Sequence, residues 1–197
     1  HGGFWFRTGR EHWSFTAQGI LSQNWSVIIP SYPQAPDVKI TQITHSISKL
    51  VYKILDDFNG SIRMIGHSAG GHLASRMICK NFLEKNMGKH IEQVISVSGL
   101  YDLRPLLMTK LNDILTLDHE EAVRESCFLY DPIDTKLTCW VGANERPEFL
   151  RQNRILTEAW SKKSRNIESY YDPRKDHFSV IDQLEEKESL LTQIITK

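Results

Sequence analysis

Short runs of β-branched and apolar residues alternate along this chain with longer stretches whose apolar positions recur every three or four residues. The short runs lie at 26–30, 62–66, 94–98, 137–142 and 167–171, and each has the length and composition of a strand. Between the first two, Ile40, Ile43, Ile47, Leu50, Val51, Ile54, Leu55 and Phe58 predict a helix with one apolar face. A second helix is expected after Gly70, through Leu73, Ala74, Met77, Ile78 and Phe82, and a third from Pro147 through Leu150 and Ile155 to Trp160. Strands alternating with helices in this way predict an α/β class, with a mostly parallel sheet and helices on both faces. After the third strand the rhythm breaks. Pro105 can open a helix, and Leu106, Leu107, Leu111, Ile114 and Leu115 follow at mixed helical spacing. The excursion over 103–126 is longer than most connections. It reads either as a small helical cap near a site or as extra packing against the sheet. No repeat, low-complexity tract or linker divides residues 1–197, which read as one domain.

Charge and cysteine usage narrow the function classes. The 197 residues carry 24 basic and 24 acidic side chains, and 40% are hydrophobic. Balanced charge removes the attraction that dominates non-specific nucleic-acid binding. No apolar run approaches the ~20 residues that span a bilayer. Neither nucleic acid nor membrane is an expected partner. Cys79, Cys127 and Cys139 form no Cys-x-x-Cys spacing, so no zinc site or redox dithiol is expected. They read as reduced, buried thiols of a cytoplasmic protein.

The strongest local signal is Gly66-His67-Ser68-Ala69-Gly70, a Gly-x-Ser-x-Gly motif set between a predicted strand and a predicted helix. A sharp strand-to-helix turn holds the serine in a strained conformation with its hydroxyl above the sheet, and the helix N-terminus favours negative charge there. Serine is a weak nucleophile, so Ser68 needs a base and the base needs an orienting acid, in the chain order serine, acid, histidine. Of the histidines, only His90, His119 and His177 lie well beyond the turn; the first two read as surface residues. His177 follows the last predicted strand, in Asp172-Pro173-Arg174-Lys175-Asp176-His177-Phe178. For the acid, Glu145 ranks first, on the loop after strand 137–142, and Asp102 second. Glu148 reads as a helix first-turn acid and Asp176 as too constrained to reach its neighbour's ring. The developing oxyanion needs donors. Those expected are the amides of Ala69 and of Gly2 and Gly3, in the opening His1-Gly2-Gly3-Phe4-Trp5. Phe4, Trp5, Tyr32 and Tyr101 lie near predicted strand ends and serve either as a stacking surface for an aromatic substrate or as core. Arg104 or Arg146 is available for a substrate carboxylate. No His-Glu-x-x-His zinc pattern occurs, and no metal or organic cofactor is expected.

Taken together, His-Gly-Gly-Phe-Trp, Gly-His-Ser-Ala-Gly and the late Asp-His-Phe resemble the α/β-hydrolase superfamily. The tryptophan after His-Gly-Gly-x is similar to the kynurenine formamidase (arylformamidase) group within its esterases and lipases. Ser31-Tyr32-Pro33-Gln34-Ala35-Pro36, Ser98-Gly99-Leu100-Tyr101-Asp102 and Pro147-Glu148-Phe149 agree, so the resemblance covers nearly the whole chain. It implies hydrolysis of N-formylkynurenine to kynurenine and formate, with the acid just before the Pro-Glu-Phe segment, where Glu145 stands. The alternatives are a carboxylesterase of broad specificity and a non-catalytic hydrolase fold used for binding. The expected partner is a small aromatic formamide or ester, and a homodimer is among the assemblies left open. In this superfamily the His-Gly-Gly loop follows the third strand, so the five predicted strands correspond to the fourth to eighth. That correspondence predicts a central strand and roughly sixty residues upstream of His1.

Overall fold

Where apolar side chains occur on successive residues, both faces of a strand must be covered, and the sheet follows from that requirement. In the computed structural model, which describes residues 1–58, 60–80, 82–83 and 88–197, four strands form one sheet: β1 (Ile62–His67), β2 (Ile91–Val97), β3 (Lys136–Gly142) and β4 (Ile167–Asp172). They lie in the order β1-β2-β3-β4, and every pairing is parallel. Successive side chains alternate between two cores. Val94, Leu137 and Cys139 face one, with Ile43, Val51, Leu73, Met77 and Trp160; Ile95, Val97 and Trp140 face the other, with Ile20, Leu184, Leu191 and Ile195. Helices α1 (Gln18–Leu21) and α7 (Leu190–Thr196) serve the second core, whereas α2 (Ile40–Asp57), α3 (Ala69–Met77) and α6 (Pro147–Ser161) serve the first. This is an α/β architecture, a parallel sheet between two helical layers.

Three expectations shift. β2 starts at Ile91, three residues before the predicted run, because Ile62 and Arg63 pair with Ile91 and Gln93, Glu92 being skipped at an irregularity in the register. The helix predicted to reach Phe82 stops at Met77, with Ile78 and Cys79 closing it through turn bonds. The run at 26–30 is extended but belongs to no strand among the described residues. A strand needs a ladder partner, and an apolar groove of about 380 Å³, lined by Val27, Ile28, Ile62 and Met64, separates this run from the outer edge of β1.

The excursion over 103–126 contains a short 3-10 turn (Arg104–Met108), α4 (Asn112–Leu115) and α5 (His119–Arg124). Leu103, Leu106 and Leu115 join the core that also holds α2 and α3. Glu125, just beyond α5, accepts from Arg76 Nε of α3 at 3.1 Å and from Thr44 Oγ1 of α2 at 3.0 Å, all three side chains being buried. The excursion is thus packed into the body through both apolar and ionic contacts. Cys79, Cys127 and Cys139 are free and buried. Among the described residues, no helix is long and apolar enough to cross a membrane.

Candidate active site

At the end of β1 the chain turns into α3 within one residue. Ser68 takes φ 55° and ψ −117°, a conformation that costs a side chain of its size on the order of 1–3 kcal/mol. The turn is held by Ser68 N–H on Val97 O at 2.8 Å and by His72 N–H on Ser68 O at 3.1 Å. Gly66 has no room for a side chain, since a Cβ there would lie 2.0 Å from Gly70 O. Sequence spacing and backbone geometry therefore agree on a nucleophile-type elbow.

Two more loops reach the same point. β3 ends at Gly142, and Glu145 follows in a turn closed by its own N–H on Gly142 O. β4 ends at Asp172, and its loop is joined to the first by Ala143 N–H on Asp172 O at 2.8 Å and Asn144 N–H on Lys175 O at 3.0 Å. A Cβ at Gly142 would strike Lys175 O at 2.4 Å, so glycine permits the close approach. The result is a continuous relay. Ser68 Oγ lies 3.1 Å from His177 Nε2, and His177 Nδ1 lies 2.7 Å from Glu145 Oε2. With the carboxylate accepting from Nδ1–H, Nε2 is left bare to accept from the serine hydroxyl. The other carboxylate oxygen, Oε1, accepts from Ser98 Oγ at 2.5 Å and Gly142 N–H at 2.9 Å. Glu145 is thereby fixed from both sides, and its side chain is fully buried.

The second-ranked acid lies elsewhere. Asp102 accepts from Arg104 Nε at 2.8 Å and Nη2 at 3.1 Å, with Arg151 Nη1 at 3.6 Å. Burial pushes its carboxyl up, but the Arg104 bonds and charge outweigh this and hold it below the usual carboxylate value. Arg104 is occupied by that pair, while Arg146 is exposed at the start of α6. Asp176 accepts from the amides of Phe178 and Ser179 at 3.0 and 2.8 Å, as a local turn cap, and Glu148 pairs with Arg151.

The opening loop lies against Ser68: a Cβ at Gly2 would come within 3.2 Å of Ser68 Cβ. Gly3, Phe4 and Trp5 have φ of 104°, 50° and 63°, so three successive residues are left-handed. Thr8 Oγ1 donates to Gly2 O at 2.8 Å and the amides of Phe6 and Arg7 donate to Gly3 O, which fixes the carbonyls. Among the described residues, the amides of Gly2 and Gly3 have no partner of their own. Ala69 opens α3, where helix geometry also leaves the amide unpaired.

The four expected aromatic contacts separate. Phe4 is half-buried, but Trp5 and Tyr101 are fully buried and Tyr32 nearly so. Trp5 packs edge-on against His72 with centroids 5.3 Å apart, Tyr101 Oη donates to Ser96 Oγ at 2.7 Å, and Tyr32 Oη donates to His1 O at 2.9 Å. For Trp5, Tyr32 and Tyr101 the core alternative describes the side chain, because their apolar area is already removed from water by protein. The rings beside His177 are ones the sequence did not single out as contacts. Phe149 stacks on its imidazole at 4.0 Å and 29°, and the exposed Phe178 meets it edge-on at 5.6 Å. Their proximity to His177 in sequence and to the Pro-Glu-Phe segment was the available signal. Among the described residues, no group of three or more His, Cys, Asp or Glu is placed to hold a metal ion.

No family model matches the chain. Kynurenine formamidases of Danio rerio and Salmo salar are 26% and 28% identical to it, over 205 and 208 aligned positions that cover 100% of this chain and 70% of each relative. A Silicibacter protein of known structure, provisionally named a thioesterase, is 40% identical with a TM-score of 0.93, covering 100% of this chain and 74% of that one. An arylesterase structure has a TM-score of 0.80 at 14% identity, over 100% and 75% of the two chains, a likeness of fold.

Proposed function

We propose, from the premise that this chain belongs to the esterase–lipase group of the α/β-hydrolase superfamily, with kynurenine formamidase-like relatives, that it is a serine hydrolase acting on N-formylkynurenine. The observation that carries the reading is the unbroken relay from Ser68 Oγ through the two nitrogens of His177 to Glu145, at 3.1 and 2.7 Å, beneath an elbow and a loop with unpaired amides. In the first half-reaction His177 Nε2 takes the Ser68 proton as Oγ attacks the formyl carbon. The amides of Gly2, Gly3 and Ala69 hold the oxyanion, and Glu145 stabilises the imidazolium. The C–N bond then breaks, and His177 returns the proton to the departing aryl amine. In the second half-reaction His177 deprotonates water, which attacks the formyl ester; formate leaves, and Ser68 recovers its proton. Kynurenine and formate are the products, and Phe4, Phe149 and Phe178 supply apolar surface for the aryl group.

A second reading is a carboxylesterase of broad specificity. It is favoured by the occupation of Arg104 by Asp102, which removes one of the two cations available to an amino-acid carboxylate. Turnover of N-formylkynurenine against short p-nitrophenyl esters, with Ser68→Ala as the blank, decides between them. Formamidase turnover that vanishes in the blank supports the first reading, and ester turnover alone supports the second. Failure of a fluorophosphonate to label Ser68 in folded protein would leave the fold as a binding module.

A further inference from the structure

We propose that His67, the residue inside the elbow beside the nucleophile, is a positioning residue that sets the distance between Ser68 and His177 by holding the main chain of His177. This role rests on the reading under Proposed function. His67 Nε2–H donates to the carbonyl oxygen of His177 at 2.8 Å, across 110 residues of chain. Its ring lies 4.7 Å from the imidazole of His177 and 5.1 Å from the indole of Trp13, so it is held between them. A Cβ at Gly2 would come within 3.0 Å of both Nδ1 and the carbonyl oxygen of His67, which places the opening loop on the same residue. Trp13 extends the contact, since its Nε1–H donates to Thr8 Oγ1, which donates to Gly2 O. One buried side chain therefore touches the nucleophile's strand, the base's loop and the loop of candidate oxyanion donors.

The chemistry of the ring suits a fixed strut. Burial first, and then the neighbouring His177, push the pKa of His67 down to about 3. The ring is neutral at working pH with a single N–H, and the carbonyl it faces assigns that hydrogen to Nε2. Among the described residues Nδ1 is buried without a partner, and the carbonyl bond is the one polar contact orienting the ring. The dependence matters because the Ser68–His177 contact, at 3.1 Å, sits at the long end for an oxygen-to-nitrogen hydrogen bond. A displacement of His177 by even ~1 Å separates the pair and costs on the order of 100-fold in rate.

Three variants test the role. His67→Leu removes the donor; His67→Asn carries an amide that stops short of the carbonyl; His67→Gln carries an amide nitrogen at the reach of Nε2. Fluorophosphonate labelling of Ser68 and the kinetics of p-nitrophenyl ester hydrolysis are read together with thermal unfolding. The expected result is a fall of roughly 10- to 100-fold in labelling rate and kcat for Leu and Asn, with KM little moved, and recovery to within about threefold in Gln. Gln matching Leu and Asn in a folded protein overturns the role, as does Leu or Asn reacting like the parent. Should Leu fail to fold, the Asn and Gln pair carries the same contrast. The hydrogen bond is read independently as a slowly exchanging His67 Nε2–H resonance in NMR. An unreactive parent protein that keeps this resonance sinks the serine-hydrolase reading; a rapidly exchanging proton sinks the positioning role.

Discussion

Replacing Glu145 by Gln separates the charge and proton preference of the acid from its shape. In the parent protein Oε1 is pinned by Ser98 Oγ at 2.5 Å and Gly142 N–H at 2.9 Å, while Oε2 faces His177 Nδ1 at 2.7 Å. Both pinning groups approach as donors, so the amide oxygen of Gln must take the Oε1 position, and the NH2 group then faces Nδ1. A donor at that place forces the neutral imidazole to accept at Nδ1 and to carry its hydrogen on Nε2, directed at Ser68. A base with its proton already on the working nitrogen cannot take another from the hydroxyl. The expected loss is roughly 10⁴-fold in kcat, about 5.4 kcal/mol of transition-state stabilisation, with KM little changed. Folding stability should fall by only about 1–2 kcal/mol, because every polar atom of Gln retains a partner. Asp102→Asn is the control: it breaks the pair with Arg104 and leaves the relay intact, so kcat should stay within about threefold. Ester hydrolysis and fluorophosphonate labelling measure both variants. Glu145→Gln retaining a tenth of the parent kcat, or Asp102→Asn doing the greater damage, refutes the assignment.

Acid should destabilise the fold well before its carboxylates titrate. Burial lowers His67 from 6.5 to about 3 and His72 from 6.5 to about 4, so below pH 6.5 the unfolded chain binds protons that the folded rings refuse. Stability is therefore full above pH 6.5 and falls by about 1.4 kcal/mol per pH unit for each ring until the folded imidazoles themselves protonate. Chemical denaturation at pH 7 and pH 5 should differ by about 4 kcal/mol, and equal midpoints would contradict the buried, neutral histidines. Tyr101→Phe should lower stability by about 1–2 kcal/mol, through the lost bond to Ser96 Oγ, and leave the ratio of aromatic to aliphatic ester turnover unchanged. A selective loss on aromatic esters would return Tyr101 to the substrate site.

Local chemistry was readable in the chain wherever one position demands one kind of residue. Gly66 and Gly70 around Ser68, the periodic face of α2 and the apolar run of β3 are constraints of backbone sterics and of burial on one or two faces. They leave a mark in sequence spacing whatever the rest of the molecule does. The chain order of serine, acid and histidine narrowed the relay in the same way. Sequence ranked Glu145 ahead of Asp102 without deciding between them, since both follow strands and both are nearly buried. The choice was made by which partner each carboxylate meets: His177 for one, Arg104 for the other. Tertiary structure also decided the aromatics, because Trp5 and Tyr101 have the same composition signal whether they line a cleft or fill a core. The extended run at 26–30 has strand character along its own length, but whether it joins a ladder depends on what lies beside it and is not written in the run. Periodicity records what a residue requires of its immediate neighbours, whereas hydrogen-bond partners and burial are settled by residues a hundred positions away. That is why the elbow was legible in the chain and the strut from His67 to His177 emerged only in the fold.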